Sequence, residues 1–256
     1  MRFGFLLRIT FRLVIVAGLW VGTCAHAQTP YDSIEVGTQL DARGIGLGFF
    51  AKPIPLPAGE WTVVGKHEQQ LSLSGGRPDG PSSTPRIMLT LRNTAREGTP
   101  LFAIIVGFTP NSIPINWGNR PCTTNNPLGL VDDFGLKTSD MLYVCARADA
   151  AYNFKETIRN VKTNPNEWMK TYLTGLAPYA EDIPANVVSV DVYGNKFLGK
   201  WMGITFLLRA DANADVNPSY RDHIQSWMHA TGKRWMKVIN NDATTLPTLE
   251  TFWTGK

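Results

Sequence analysis

Two cysteines, Cys122 and Cys145, constrain this chain more than any other feature. The third cysteine, Cys24, falls in an N-terminal stretch that reads as an export signal. Arg2, Arg8 and Arg12 come first with no acid among them. An apolar run from Leu13 to Cys24 follows, and Ala25-His26-Ala27 closes it with the small-x-small pattern of a signal-peptidase site. The run is shorter than the roughly 18 residues a spanning helix needs. Residues 1–27 are therefore expected to be a cleaved signal peptide, with the mature chain beginning at Gln28. An uncleaved anchor or lipoprotein processing at Cys24 is the alternative. In an oxidising compartment the remaining even pair predicts a Cys122–Cys145 disulfide. Free thiols or a metal pair are the rival readings, without another cysteine or a nearby histidine to support them. The bridge closes a loop of about 24 residues, worth roughly 3 kcal/mol on the chain-entropy model.

Removing the signal changes the charge. The whole chain carries 25 Lys+Arg against 21 Asp+Glu, and three of the 25 are the signal arginines, leaving 22 against 21. No basic run follows a phosphate backbone, so nucleic acid is excluded as an expected partner. No later apolar stretch reaches membrane length, so no membrane span is expected after signal removal. The expected location is periplasmic or secreted.

Residues 28–48 read as a loose lead-in to a single domain over 28–256. Gly44-x-Gly46-x-Gly48 lacks the third glycine and the strand–helix context of a dinucleotide loop. Prolines keep 49–56 extended, and a strand is expected from Trp61 to about Leu73. Residues 75–85, rich in Gly, Pro and Ser, read as a mobile loop. Arg86–Arg92 and Leu101–Thr109 read as a hairpin, the second strand central because it is apolar on both faces. Residues 110–140 read as mostly irregular, pinned by the disulfide to a strand at Met141–Arg147. Helices are expected at Tyr152–Val161 and from the Asn164 cap to Leu173, ending at Gly175. Val187–Tyr193 and Phe197–Arg209 read as a hairpin turning at Gly194-Asn195.

The last helix is the best marked. Asn217 caps it, Pro218 opens it and Asn240-Asn241 ends it. Tyr220, Ile224, Trp227, Met228, Thr231, Trp235 and Val238 recur at spacings of three and four on one face. The fold class expected is α+β: a mainly antiparallel sheet, a helical insertion, and a long C-terminal amphipathic helix packed on one face.

Chemistry-bearing motifs are few. Asp211-x-Asn213-x-Asp215 has the opening spacing of a calcium loop, but Val216 stands where the sharp turn needs glycine and Pro218 stands at position eight, so a polar hairpin end is the preferred reading. These three are the metal candidates, and no cofactor is expected. There is no Gly-x-Ser-x-Gly elbow and no Ser-x-x-Lys. If a catalytic site assembles in space, His67 beside the glycine-rich loop is the candidate base. Asp132-Asp133 and Glu181-Asp182 read as solvated loop acids. Seven tryptophans follow the signal. Trp61, Trp201, Trp227 and Trp235 fit core patterns, and of the other three Trp117 and Trp253 are the candidates for exposed platforms of a binding surface.

Ile54-Pro55-Leu56-Pro57-Ala58-Gly59-Glu60-Trp61 resembles the opening Pro-Leu-Pro-x-Gly-x-Trp hairpin of uncharacterised exported proteobacterial proteins. These share a mid-chain cysteine pair and a Trp-containing helix near the end. The resemblance implies export and a single domain, and carries no activity. The functional expectation is a non-catalytic accessory or binding protein of the bacterial envelope, with an envelope protein or glycan as partner. An envelope hydrolase with a spatially assembled site, or a calcium- or glycan-binding domain, is the alternative.

Overall fold

The computed structural model describes residues 29–40, 44–47, 53–72, 83–95, 100–108, 122, 130–137, 142–163, 167–196, 200–210 and 217–240. Ten strands are found among them: β1 (Thr29–Pro30), β2 (Gln39–Leu40), β3 (Ile45–Gly46), β4 (Trp61–Ser72), β5 (Ser83–Asn93), β6 (Phe102–Phe108), β7 (Leu130–Lys137), β8 (Leu142–Ala148), β9 (Val187–Lys196) and β10 (Lys200–Arg209). Three α-helices join them: α1 (Phe154–Arg159), α2 (Glu167–Leu176) and α3 (Pro218–Ile239). β1 and β3 form a short parallel pair. The other eight strands form one antiparallel sheet in the order β2-β4-β5-β6-β10-β9-β8-β7. The fold is α+β with a mainly antiparallel sheet.

The strand period of two sorts residues onto two covered faces. On the first face, Leu89, Ile105, Ile204, Val190 and Val144 join the buried residues of α3. Tyr220, Ile224, Trp227, Met228, Thr231, Trp235 and Val238 are all buried, so the aromatic stripe of α3 faces the sheet over β7, β8 and β9. The Asn217 side chain caps the helix by accepting from the Ser219 and Tyr220 amides. On the same face, Ile34, Leu40, Ile45, Leu47, Ile54 and Leu56 extend the core, so the described part of the expected loose lead-in is packed. On the second face, Val64, Met88, Phe102, Ile104 and Leu207 pack against Phe154 and Ile158 of α1 and Leu173 and Leu176 of α2. Helices thus cover both faces of the sheet rather than one, because β6 is apolar on both and β4, β5 and β10 add Val64, Met88 and Leu207 to the second.

Three local expectations are corrected. Gly194 and Asn195 do not turn a hairpin; they pair with Met202 and Trp201 inside the ladder. A Cβ on Gly194 would lie 2.7 Å from Ile239 Cγ1, so glycine is there to admit the end of α3. Gly175 does not end α2, which runs to Leu176; a Cβ there would sit 3.2 Å from the Val64 carbonyl oxygen, and glycine allows close helix–strand approach. Residues 130–137, expected as loop, form edge strand β7 with a register shift between Asp133 and Leu136. Its adjacent acids, Asp132 and Asp133, and Gly135 hide the strand pattern.

Among the described residues, no helix is long and apolar enough to cross a membrane.

Candidate functional site: a charged-floored cavity on the sheet

The second face is not apolar throughout. Three adjacent strands place Thr205 (β10), Asp191 (β9) and Arg147 (β8) side by side, as register partners in one row across the sheet. The Thr205 hydroxyl donates to Asp191 Oδ1 at 2.6 Å, and Arg147 Nε donates to Asp191 Oδ2 at 3.1 Å. Arg147 also reaches Asp149 Oδ2 at 3.9 Å, and the Ser189 hydroxyl donates to that oxygen at 3.2 Å. Tyr193 hydrogen-bonds the Asp191 carboxylate, and Tyr152 hydrogen-bonds Ser189. The cluster is continuous, with members on β10, β9 and β8 and in the segment that follows β8.

The cluster floors a cavity of about 370 Å³. Ile104, Val106, Phe154, Met169 and Leu207 form its apolar wall, and Tyr172, Trp201 and Arg86 complete the lining used below. Gly203 is part of the floor. A Cβ there would come within 3.1 Å of the Tyr193 ring and 3.3 Å of Trp201, so the missing side chain gives both rings their place. The two rings lie 6.4 Å apart at a tilt of 38°.

Burial dominates the electrostatics. The Asp191 carboxyl is raised above the ordinary aspartate value by desolvation, against the opposing pull of Thr205 and Arg147. Burial pulls the Arg147 guanidinium down, yet attraction to Asp191 and Asp149 outweighs it and the net direction is up. The asymmetry follows from depth: the Asp191 side chain is 8% exposed and Arg147 24%, so the carboxylate bears more of the desolvation. Desolvation brings Arg86 down to about 10. It raises Tyr172 to about 12 and pushes Tyr152 and Tyr193 up as well, so all three phenols stay protonated donors.

The disulfide joins Cys122 to Cys145. Cys145 is the register partner of Tyr193, and both half-cystines are buried against Tyr143 and Tyr193. The bridge therefore anchors Cys122 beside a residue that lines the cavity, and a disulfide fits an oxidising compartment.

The other candidates named from sequence are dispersed. His67 lies on β4 opposite Met88 and is not part of the cavity lining. Trp117, Trp253, Asp211, Asn213 and Asp215 lie outside the described residues. Among the described residues no group of three His, Cys, Asp or Glu side chains is placed to hold a metal. Trp61, Trp227 and Trp235 are buried core, whereas Trp201 is only half-buried and lines the cavity. Asp132, expected as a solvated acid, hydrogen-bonds His229 Nδ1 across the junction of β7 and α3.

Sequence reasoning missed the cluster itself. Ser189, Asp191 and Tyr193 alternate with valines in a strand flanked on both sides, where both faces are normally apolar. That alternation was the available signal.

No protein-family model, curated protein or solved structure matches the chain.

Proposed function

We propose that this protein is a non-catalytic, exported binding protein of the cell envelope, and that its ligand is a small amphipathic molecule held in the cavity. The observation that carries the reading is the Asp191–Arg147–Thr205 row in the floor of a cavity also lined by apolar residues, Ile104, Val106 and Leu207 beside it on the sheet and Phe154 and Met169 on the covering helices. Burying an ion pair costs several kcal/mol per ion before attraction repays it, and well-packed apolar residues usually serve stability as well or better. A few fixed polar groups facing an apolar wall are what orient a ligand in a small-molecule site. The signal-like N-terminus and the disulfide support export.

The Asp132–His229 pair favours a second reading, a hydrolase, with Ser226 one turn before His229 on α3 in the same cleft. The cleft is open, and the His229 side chain is 45% exposed. Residues 226–229 lie mid-helix, where backbone N–H groups are already bonded within α3 and none is available to an oxyanion. Binding in the less open cavity on the sheet is the better-supported reading.

A thermal-shift screen of small amphipaths on the purified mature domain tests it. At least one class should raise the melting temperature. The shift should vanish in Gly203→Val, whose side chain enters the space of the Tyr193 and Trp201 rings, with circular dichroism confirming that the variant folds. Thr205→Val, which changes only the polar floor, should weaken the shift without abolishing folding. Absence of any stabilising amphipath would refute the proposal, and so would a shift unaffected by both variants.

A further inference from the structure

The described lining of the cavity contains four ionic side chains, Arg86 and Arg147 against Asp149 and Asp191. The signs balance. At the polar end they also interleave: the guanidinium of Arg147 lies between two carboxylates, 3.1 Å from one and 3.9 Å from the other. Asp149 is the more exposed of the two, with its side chain 36% exposed, and it stands beside the Ser189 and Tyr152 hydroxyls. A ligand head seated there meets a strong acceptor and a strong donor within a few ångströms of each other. A purely cationic head is repelled by Arg147, and a purely anionic head by Asp149 and Asp191. Either would leave a net charge in a cavity walled by Ile104, Val106, Phe154, Met169 and Leu207, where an uncompensated ion is costly.

Resting on the binding reading above, we infer that the ligand is a zwitterion without net charge, carrying a cationic and an anionic group on adjacent atoms and an apolar side chain, as a free apolar α-amino acid does. Its ammonium group would face Asp149, its carboxylate the guanidinium of Arg147, and its side chain the apolar wall. Arg86, entering from β5 on the far side, sets the other polar limit. Burial raises the carboxyl of Asp191 and lowers the guanidinium of Arg86, so charge is partly desolvated at these two points of the lining.

Calorimetric titration of the dialysed mature domain with three probes sharing one phenyl body separates the cases: L-phenylalanine, phenethylamine and 3-phenylpropionate. The zwitterion should bind at least tenfold more tightly than either singly charged analogue. Asp149→Asn should weaken L-phenylalanine at least fivefold while leaving 3-phenylpropionate no weaker. Equal or tighter binding of a singly charged probe, lost in Gly203→Val, would overturn the charge assignment and leave the binding reading standing. Silence from all three probes while another amphipath stabilises the protein would also overturn the zwitterion alone. Silence from every amphipath would overturn both.

Discussion

Thr205→Val is nearly isosteric, and it removes one defined interaction, the 2.6 Å hydroxyl–carboxylate hydrogen bond to Asp191. Such a bond to an ionised acceptor is worth about 1.5–3 kcal/mol. Asp191 is buried, so water does not readily replace the lost donor, which favours the upper part of that range. Arg147 still donates to the other oxygen, and the new methyl group gains some apolar contact, which pulls the value down. The expected cost is about 2 kcal/mol, or about 4–8 °C in melting temperature for a domain of this size. Urea unfolding is the assay, with the m-value unchanged so that the shift in midpoint is a shift in stability. A double-mutant cycle with Asp191→Asn isolates the pair, and its coupling should be about 1–2 kcal/mol. A Thr205→Val variant within about 0.5 kcal/mol of the parent, or strict additivity of the two substitutions, would refute a charged, water-excluded floor.

The remaining predictions concern charge, packing and the covalent tie. Because burial raises the folded-state carboxyl of Asp191, the folded chain holds that proton more tightly than the unfolded one. The group's contribution is then full below the ordinary aspartate pKa of about 4 and is lost as pH rises through the raised folded value. Relative to Asp191→Asn, the parent should lose stability from pH 4 toward neutrality; a relative gain in paired urea titrations would mean that Arg147 outweighs burial. Replacing both cysteines by alanine should cost about 3 kcal/mol at equilibrium, and an unchanged urea midpoint would show that the Cys122 segment is held by other contacts. Gly232→Ala should destabilise by about 1–3 kcal/mol, because the new Cβ would fall 2.2 Å from Phe134 Cε2 and force that ring off α3. A calorimetric melting temperature within a degree of the parent would contradict that packing.

Local signals made much of the scaffold readable. Proline and asparagine mark the start of α3, and its three-and-four spacing identifies the buried face; both arise within the segment itself. The doubly apolar run of β6 likewise announces a central strand, and it lies between β5 and β10. What failed depended on partners distant in sequence. Gly194 reads as a turn residue, and only the arrival of Ile239 explains it. β7 reads as loop because edge strands tolerate acids and glycine, and Asp132 is satisfied by His229, 97 positions away. The cavity is the extreme case. Thr205, Asp191 and Arg147 sit on three strands, and each alone looks like an ordinary polar residue in an apolar run. Only the register of β8, β9 and β10 makes them one site.

Native mass spectrometry of the protein, purified gently from the cells that make it, tests most directly whether the sheet holds a small molecule. The expected spectrum shows a complex heavier than the bare chain by the mass of one small organic molecule, released on collisional activation and missing from the folded Gly203→Val variant. A spectrum of bare chain alone, from protein that also ignores every amphipath added back to it, would contradict a binding role for the cavity.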